Sequence, residues 1–188
     1  MINLSREFTK RLLHIEKLER EQNHSNQYNR QENIELTGIP DKDVIPHDKL
    51  EEECIKLLKK IGVTDLKPEE IVACHRLPKK NDEDSPNVII RFVNRKRAIE
   101  CFKMKKNIKQ RIPEYPQFFI LENLCPRYRT ILDECKKLKR NGHIKKVWTF
   151  KGIVNIKTTD NEREKPKKIY HTYDLEDYIP EIENNGWW

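Results

Sequence analysis

The stretch Asn87–Val93 (NVIIRFV) is the strongest strand in the chain, and it runs without a loop into Asn94, a residue suited to cap a helix. A strand passing directly into a capped helix demands a fold in which helices pack back onto a sheet. The neighbouring segments meet that demand. Asn33–Thr37 (NIELT) alternates and stops at Gly38-Ile39-Pro40, a strand followed by a breaker. Asp48 stands three residues before Glu51, a capping-box-like start. Leu50, Cys54, Leu57, Leu58 and Ile61 then line one helical face, which Gly62 closes. Ile71–Leu77 (IVACHRL) reads as a strand and Pro78–Pro86 as an acidic, proline-bounded loop. The helix after Asn94 is expected to turn Ala98, Ile99 and Phe102 inward, and Phe118–Leu121 (FFIL) supplies a last strand.

The resulting order, β-α-β-β-α-β, is that of the ferredoxin-like split unit, which the RNA-recognition motif shares. A second unit begins at Cys125-Pro126, with Pro126 in the first turn of a helix. Tyr128, Ile131, Leu132, Cys135 and Leu138 mark its buried face and Asn141-Gly142 its end. Val147–Phe150 and Ile153–Lys157 form a hairpin across Lys151-Gly152, Ile169–Tyr173 adds a strand, and Asp174–Ile179 a short acidic helix. Residues 2–22 read as a helix with Leu4, Phe8, Ile15 and Leu18 at heptad spacing, interrupted by Arg11 and Gln22. That helix is either the stump of a coiled coil or docked on the domain behind it, and Asn23–Gln27 (NHSNQ) reads as a polar linker. The expected fold class is α+β. Its parts are an N-terminal helix and linker (1–27), an RRM-like domain (28–124), a small α+β domain (125–182) and a disordered tail (183–188).

Positive charge is concentrated rather than spread. Residues 91–111 hold nine Lys or Arg against one acid, Glu100, and residues 127–151 hold nine against Asp133 and Glu134. Acidic segments offset them, leaving a net charge of +7. Two separated basic blocks give the footprint of a nucleic-acid binder, whereas a single one would fit a solvated helix face equally well. Hydrophobic residues are 36% and charged residues 37%, so the cores are modest and small paired domains suit them. No apolar run approaches a membrane span and no signal-peptide core is visible, which leads to the expectation of an intracellular, cytoplasmic or nuclear protein with no membrane partner. Five cysteines form no CxxC pair and read as core residues. No glycine-rich phosphate loop, HExxH, GxSxG or zinc-spaced Cys/His set occurs, so neither an enzyme, a metal nor a cofactor is expected.

Alternation turns Ile34, Leu36, Ile90 and Phe92 towards the helices and leaves Glu35, Thr37, Asn87, Ile89 and Arg91 outward. The two central strands thus offer no aromatic to stack a base, and the candidate contacts lie at the sheet edge: Arg76, Arg91, Arg95, Lys96, Arg97, Lys105 and Lys106. In the second unit, Arg127 and Arg129 stand in the first helical turn, where a cation opposes the helix dipole unless an anion is near. Trp148 lies among Lys145, Lys146 and Lys151, where it would either stack a base or fill the hairpin core. The partner expected from these residues is single-stranded RNA or DNA, bound by phosphate neutralisation with little sequence preference. A non-enzymatic protein-interaction scaffold is the alternative, and residues 2–22 are a candidate homo-oligomer contact.

The segments NRQENIELTGIP (29–40), IVACHRL (71–77), NVIIRFVNRK (87–96), FILENL (119–124) and RYRTILDECKKLKR (127–140) resemble, in that order, LINE retrotransposon first-open-reading-frame proteins and baculovirus few-polyhedra proteins. The resemblance spans roughly 28–180. It implies a trimerising coiled coil, an RNA-recognition-like domain and a carboxy-terminal domain that together bind single strands and act as a nucleic-acid chaperone. Arg129 matches the family's RNA-binding helix arginine, and Trp148 falls where LINE proteins carry an aromatic. Gln31 and Glu35 stand where those relatives place RNA-contacting arginines.

Overall fold

Helix α1 (Ile2–Tyr28) runs unbroken through Asn23–Gln27, the segment whose polarity suggests a linker. No proline or glycine interrupts it, and Gln27 is only 3% exposed, its side-chain oxygen accepting the Cys125 N–H at 2.8 Å. A tertiary contact thus overrides weak local propensity. The computed structural model describes residues 2–79 and 85–178, which divide into two compact units. One is Gln31–Asn123; the other joins α1 to the segment from Leu124 onward.

In the first unit the elements are β1 (Asn33–Thr37), α2 (Leu50–Ile61), β2 (Ile71–Arg76), β3 (Val88–Phe92), α3 (Arg95–Lys103), α4 (Ile108–Arg111) and β4 (Phe119–Glu122). The strands form one antiparallel sheet in the order β2-β3-β1-β4, with β1 paired on both sides. Ile34 opposes Ile90, and Leu36 opposes both Val88 and Ile120, so period-two alternation brings their side chains onto the helix-covered face. These residues join Leu50, Cys54, Leu58 and Ile61 of α2 in a single core. Gly62 closes α2 at φ 124°.

Three local expectations differ. A short 3-10 turn, His47–Lys49, precedes α2, and no side chain caps the helix, so Asp48 and Glu51 make no capping box. Asn94 does cap α3, its side-chain oxygen accepting the Arg97 N–H at 3.2 Å, but the residues buried on α3 are Ala98 and Cys101. Phe102 packs partly on the core, while Ile99, one position off the Ala98–Cys101–Phe102 stripe, is 38% exposed. The basic run is not one helix: a 3-10 turn at Met104–Asn107 separates α3 from α4. The loop expected at 78–86 lies largely outside the described residues.

In the second unit α5 (Pro126–Arg140) packs Tyr128, Ile131, Cys135 and Leu138 against a sheet of β5 (Lys146–Phe150), β6 (Ile153–Lys157) and β7 (Lys167–Ile169), ordered β5-β6-β7. The hairpin turn uses Lys151 and Gly152 at φ 53° and 76°, the two positive values a two-residue turn requires. The strand expected at Ile169–Tyr173 is instead Lys167–Ile169, and a 3-10 turn at Thr172–Tyr178 replaces the acidic helix expected at Asp174–Ile179. Asp174 causes the change: its carboxylate accepts the N–H groups of Tyr170 and His171 at 2.8 and 2.9 Å, ending the strand. Residue 179 and the tail expected to be disordered lie outside the described residues. Among the described residues no helix is long and apolar enough to cross a membrane.

Gly38 ends β1 at φ 71°, and a Cβ there would lie 2.2 Å from the Gln117 carbonyl oxygen. Gly38→Ala should therefore lower unfolding free energy by ~2–4 kcal/mol, above the ~1–3 kcal/mol of a left-handed non-glycine residue alone. Urea denaturation checks this, and a loss under ~1 kcal/mol would contradict the close approach.

Candidate nucleic-acid interface

The hairpin register settles which way Trp148 points. Val147 pairs with Ile156 and Thr149 with Val154, and both partners are buried in the core beneath the sheet. Trp148 therefore lies on the opposite face with Lys146 and Phe150. Across the strands Trp148 opposes Asn155, which opposes Lys168 of β7, giving a Trp–Asn–Lys row. Asn155 is buried and donates to the Ile153 carbonyl at 2.8 Å, holding the middle of that row rigid. Phe150 is 59% exposed, with the Lys151 ammonium 5.6 Å from its ring centroid. Lys146 and Lys168 are exposed on the same face, whereas Lys167, paired with the buried Ile156, lies on the other and reaches the Tyr178 ring at 5.1 Å; Lys145, exposed, precedes the strand. Sequence reading missed Phe150, although its two-residue spacing from Trp148 and the turn at Lys151-Gly152 are visible there.

Beside this face the Thr158–Glu164 loop folds around a carboxylate. Glu164 accepts from the hydroxyls and N–H groups of Thr158 and Thr159 at 2.6–2.9 Å, and these bonds, that of the Thr159 hydroxyl foremost, hold its pKa down to about 2. Lys157 is committed here too, donating to the Asn161 and Glu162 carbonyls.

The arginines at the start of α5 differ in place. Arg127 is half-buried and donates to His171 Nε2 at 2.7 Å and the Thr172 hydroxyl at 3.2 Å. Burial, and then the Arg127 charge, push the His171 pKa down, so its imidazole is a neutral acceptor. Arg129 is half-buried in the same turn.

In the first unit the basic block is divided between internal and external use. Arg97 has a side chain only 15% exposed and reaches Asp65 at 3.0 Å, Glu70 at 2.7 Å and Glu100 at 2.7 Å. Its hydrogen bonds to Asp65 and Glu70 raise its own pKa further. It is a tie between α3 and the turn before β2 rather than part of the sheet-edge surface. Arg91 and Arg95 approach Glu32 at 3.3 and 3.9 Å. Arg76 turns inward and donates to the Pro40 and Ile45 carbonyls at 2.6 and 3.2 Å. Lys96 and Lys106 are exposed, and Lys105 lies 3.9 Å over the Phe102 ring. On the sheet face opposite the helices Ile89 and Arg91 lie as alternation requires, but Glu35, expected to be open there, is only 1% exposed and accepts from the Asn123 amide at 2.6 Å, the segment just after β4 covering it. The edge strand β4 adds Phe119 and Leu121, both more than two-fifths exposed, which the central-strand reading overlooked.

No group of His, Cys, Asp and Glu among the described residues is arranged to hold a metal ion. Comparison with protein-family models finds no match to this chain, and comparison with curated proteins finds none either.

Arg97→Gln should cost about 1–2 kcal/mol, the scale of charge-assisted hydrogen bonds offset by rehydration of the exposed acids. The Lys67 N–H and the Arg97 guanidinium lower the Glu70 pKa, and the Arg97 hydrogen bond lowers that of Asp65. A depressed folded-state pKa gives stability that is present above the unfolded value and lost as pH falls through the folded one. The gap between wild type and Arg97→Gln in urea midpoints should thus be full at neutral pH and shrink below about pH 4. A gap independent of pH would remove these carboxylates from the account.

Proposed function

We propose that this chain binds single-stranded RNA or DNA with little sequence preference, stacking bases on the outer face of its three-stranded sheet. The observation that carries the reading is Trp148 and Phe150 side by side on one strand face, flanked by Lys146, Lys151 and Lys168, with Lys145 exposed just before the strand. Every base has a π-face, so aromatic stacking holds a strand without reading its sequence, and lysines follow the phosphates. The exposed Lys96, Lys105 and Lys106 of the other unit offer a second basic surface. Arg129 keeps its proposed role in phosphate contact at the start of α5. Arg97, enclosed by acids, and Arg127, bonded to His171 and Thr172, support the fold.

The motif order resembling LINE first-open-reading-frame and few-polyhedra proteins favours the same class, with chaperone-like activity and an intracellular setting. The chain is proposed to act by binding, with no catalysis. A second reading, self-association or protein scaffolding through α1, is favoured by one observation: Phe8, Leu12, Ile15 and Leu18 are each at least half exposed. Ile15→Glu should then reduce the sedimenting mass without altering the circular dichroism of the units, and an unchanged mass would remove that contact.

Fluorescence anisotropy against a single-stranded RNA, the matching DNA and a duplex tests the main reading. Binding should favour single strands, with a log–log salt slope near −4 if about six phosphates are neutralised. Trp148→Ala and Phe150→Ala should each weaken it at least fivefold, from ~1–3 kcal/mol per stacked base, with melting curves close to wild type. Absence of binding at low salt would leave the scaffold reading in its place.

A further inference from the structure

A second aromatic site lies away from the Trp148 face, in a cleft of 510 Å³ within the unit formed by α1 and the carboxy-terminal segment. Arg20, His24 and Tyr28, one turn apart along α1, form one wall, facing Tyr128 of α5 and Tyr170 beyond β7. A cleft this size suits a small ligand. Its lining is mostly aromatic, and Tyr128, only 1% exposed as a residue, contributes to it. Burial raises the Tyr128 pKa, so the group is a neutral phenol, able to donate and to accept.

The charge around the cleft selects among ligands. Arg20 is already paired with Glu16 at 2.7 Å and Asp174 at 3.4 Å, and Glu21 adds a third acid to the rim. Lys17 in turn approaches Glu21 at 3.9 Å, so each of the two cations at the rim already has an acidic partner and neither is held ready for phosphate. An aliphatic chain would cover the polar groups of Tyr128, His24 and Ser25 that line the cleft and offer them no hydrogen bond. A flat, neutral ring with hydrogen-bonding edges satisfies both the tyrosine walls and the polar groups.

We propose that this cleft is a nucleobase-binding pocket, with Tyr28 and Tyr170 packing on the ring and the Tyr128 hydroxyl bonding to its edge. The base is supplied either by a free nucleoside or by an unstacked nucleotide of a bound strand; only the second source rests on the proposed function above.

The test is NMR titration of the full chain with adenosine, adenosine monophosphate, inorganic phosphate and a short oligodeoxyadenylate, following the ring protons of His24, Tyr28 and Trp148. Adenosine should shift His24 and Tyr28, the monophosphate should bind no tighter, and phosphate should not compete. Tyr128→Phe, which keeps the packing, should weaken adenosine about fivefold, the scale of one hydrogen bond. Tyr28→Ala, at an exposed position, should weaken it at least as much. An oligonucleotide that also shifts Tyr28 identifies the strand as the source. One that shifts Trp148 alone, while adenosine still shifts Tyr28, identifies the free nucleoside. If adenosine binds but no oligonucleotide does, the cleft stands and the strand-binding function falls. No shift with adenosine at millimolar concentration, displacement by phosphate, or an affinity unchanged in both variants overturns the pocket.

Discussion

Each sheet gathers its apolar core on one face, and this governs where chemistry can appear. With 36% hydrophobic residues against 37% charged, the chain can fill one face per sheet and little more. In the three-stranded sheet Val154 and Ile156 fill that face, and Asn155 between them must point the other way. The hairpin register then fixes Trp148 opposite Asn155 and Phe150 opposite Ile153. The platform is therefore a consequence of core packing: a one-residue slip of β5 would bury the aromatics and expose Val147.

Charge density alone overstates the binding surface. The block 91–111 reads as uniformly cationic, yet Arg97 is enclosed by three carboxylates that lie up to 32 residues away in sequence. Arg91 and Arg95 share Glu32, and Arg76 serves two loop carbonyls. Arginine's five donors in a planar fork make it the residue best suited to such internal ties, whereas lysine, a point charge on a flexible stem, stays outside. The division matches that chemistry: Lys96, Lys105 and Lys106 are exposed, and Arg97 is not.

Much of the α+β architecture was legible because it rests on short-range pattern. Alternation in NIELT and NVIIRFV, the Asn94 cap, the glycines after α2 and α5, and the Lys151-Gly152 turn all act within a few residues. What escaped depends on distant partners. Asn23–Gln27 is helical because Gln27 meets the Cys125 N–H, and the strand ending at Ile169 stops because Asp174 captures two N–H groups beyond it. Ile99 and Cys101 exchanged places because a helix only two and a half turns long gives periodicity few repeats to display. For the candidate site, the residue types were visible, but the outward face of Trp148 needed the register with β6.

Helix α1 inverts the usual amphipathic arrangement, and this ties the remaining features together. Its contacts with the carboxy-terminal segment include polar ones: Arg20 to Asp174, and Gln27 to Cys125. Its larger apolar side chains, from Phe8 to Leu18, face solvent. Exposed ion pairs are weak, so the firm end of the attachment is the buried Gln27, against which Gly152 also packs without room for a Cβ. That anchoring at the C-terminal end of α1 sets Tyr28 and His24 beside Tyr128, forming the cleft, while the N-terminal half keeps its apolar stripe available. The helix thus divides its length between building a site at one end and offering a surface at the other, a division its sequence pattern alone does not reveal.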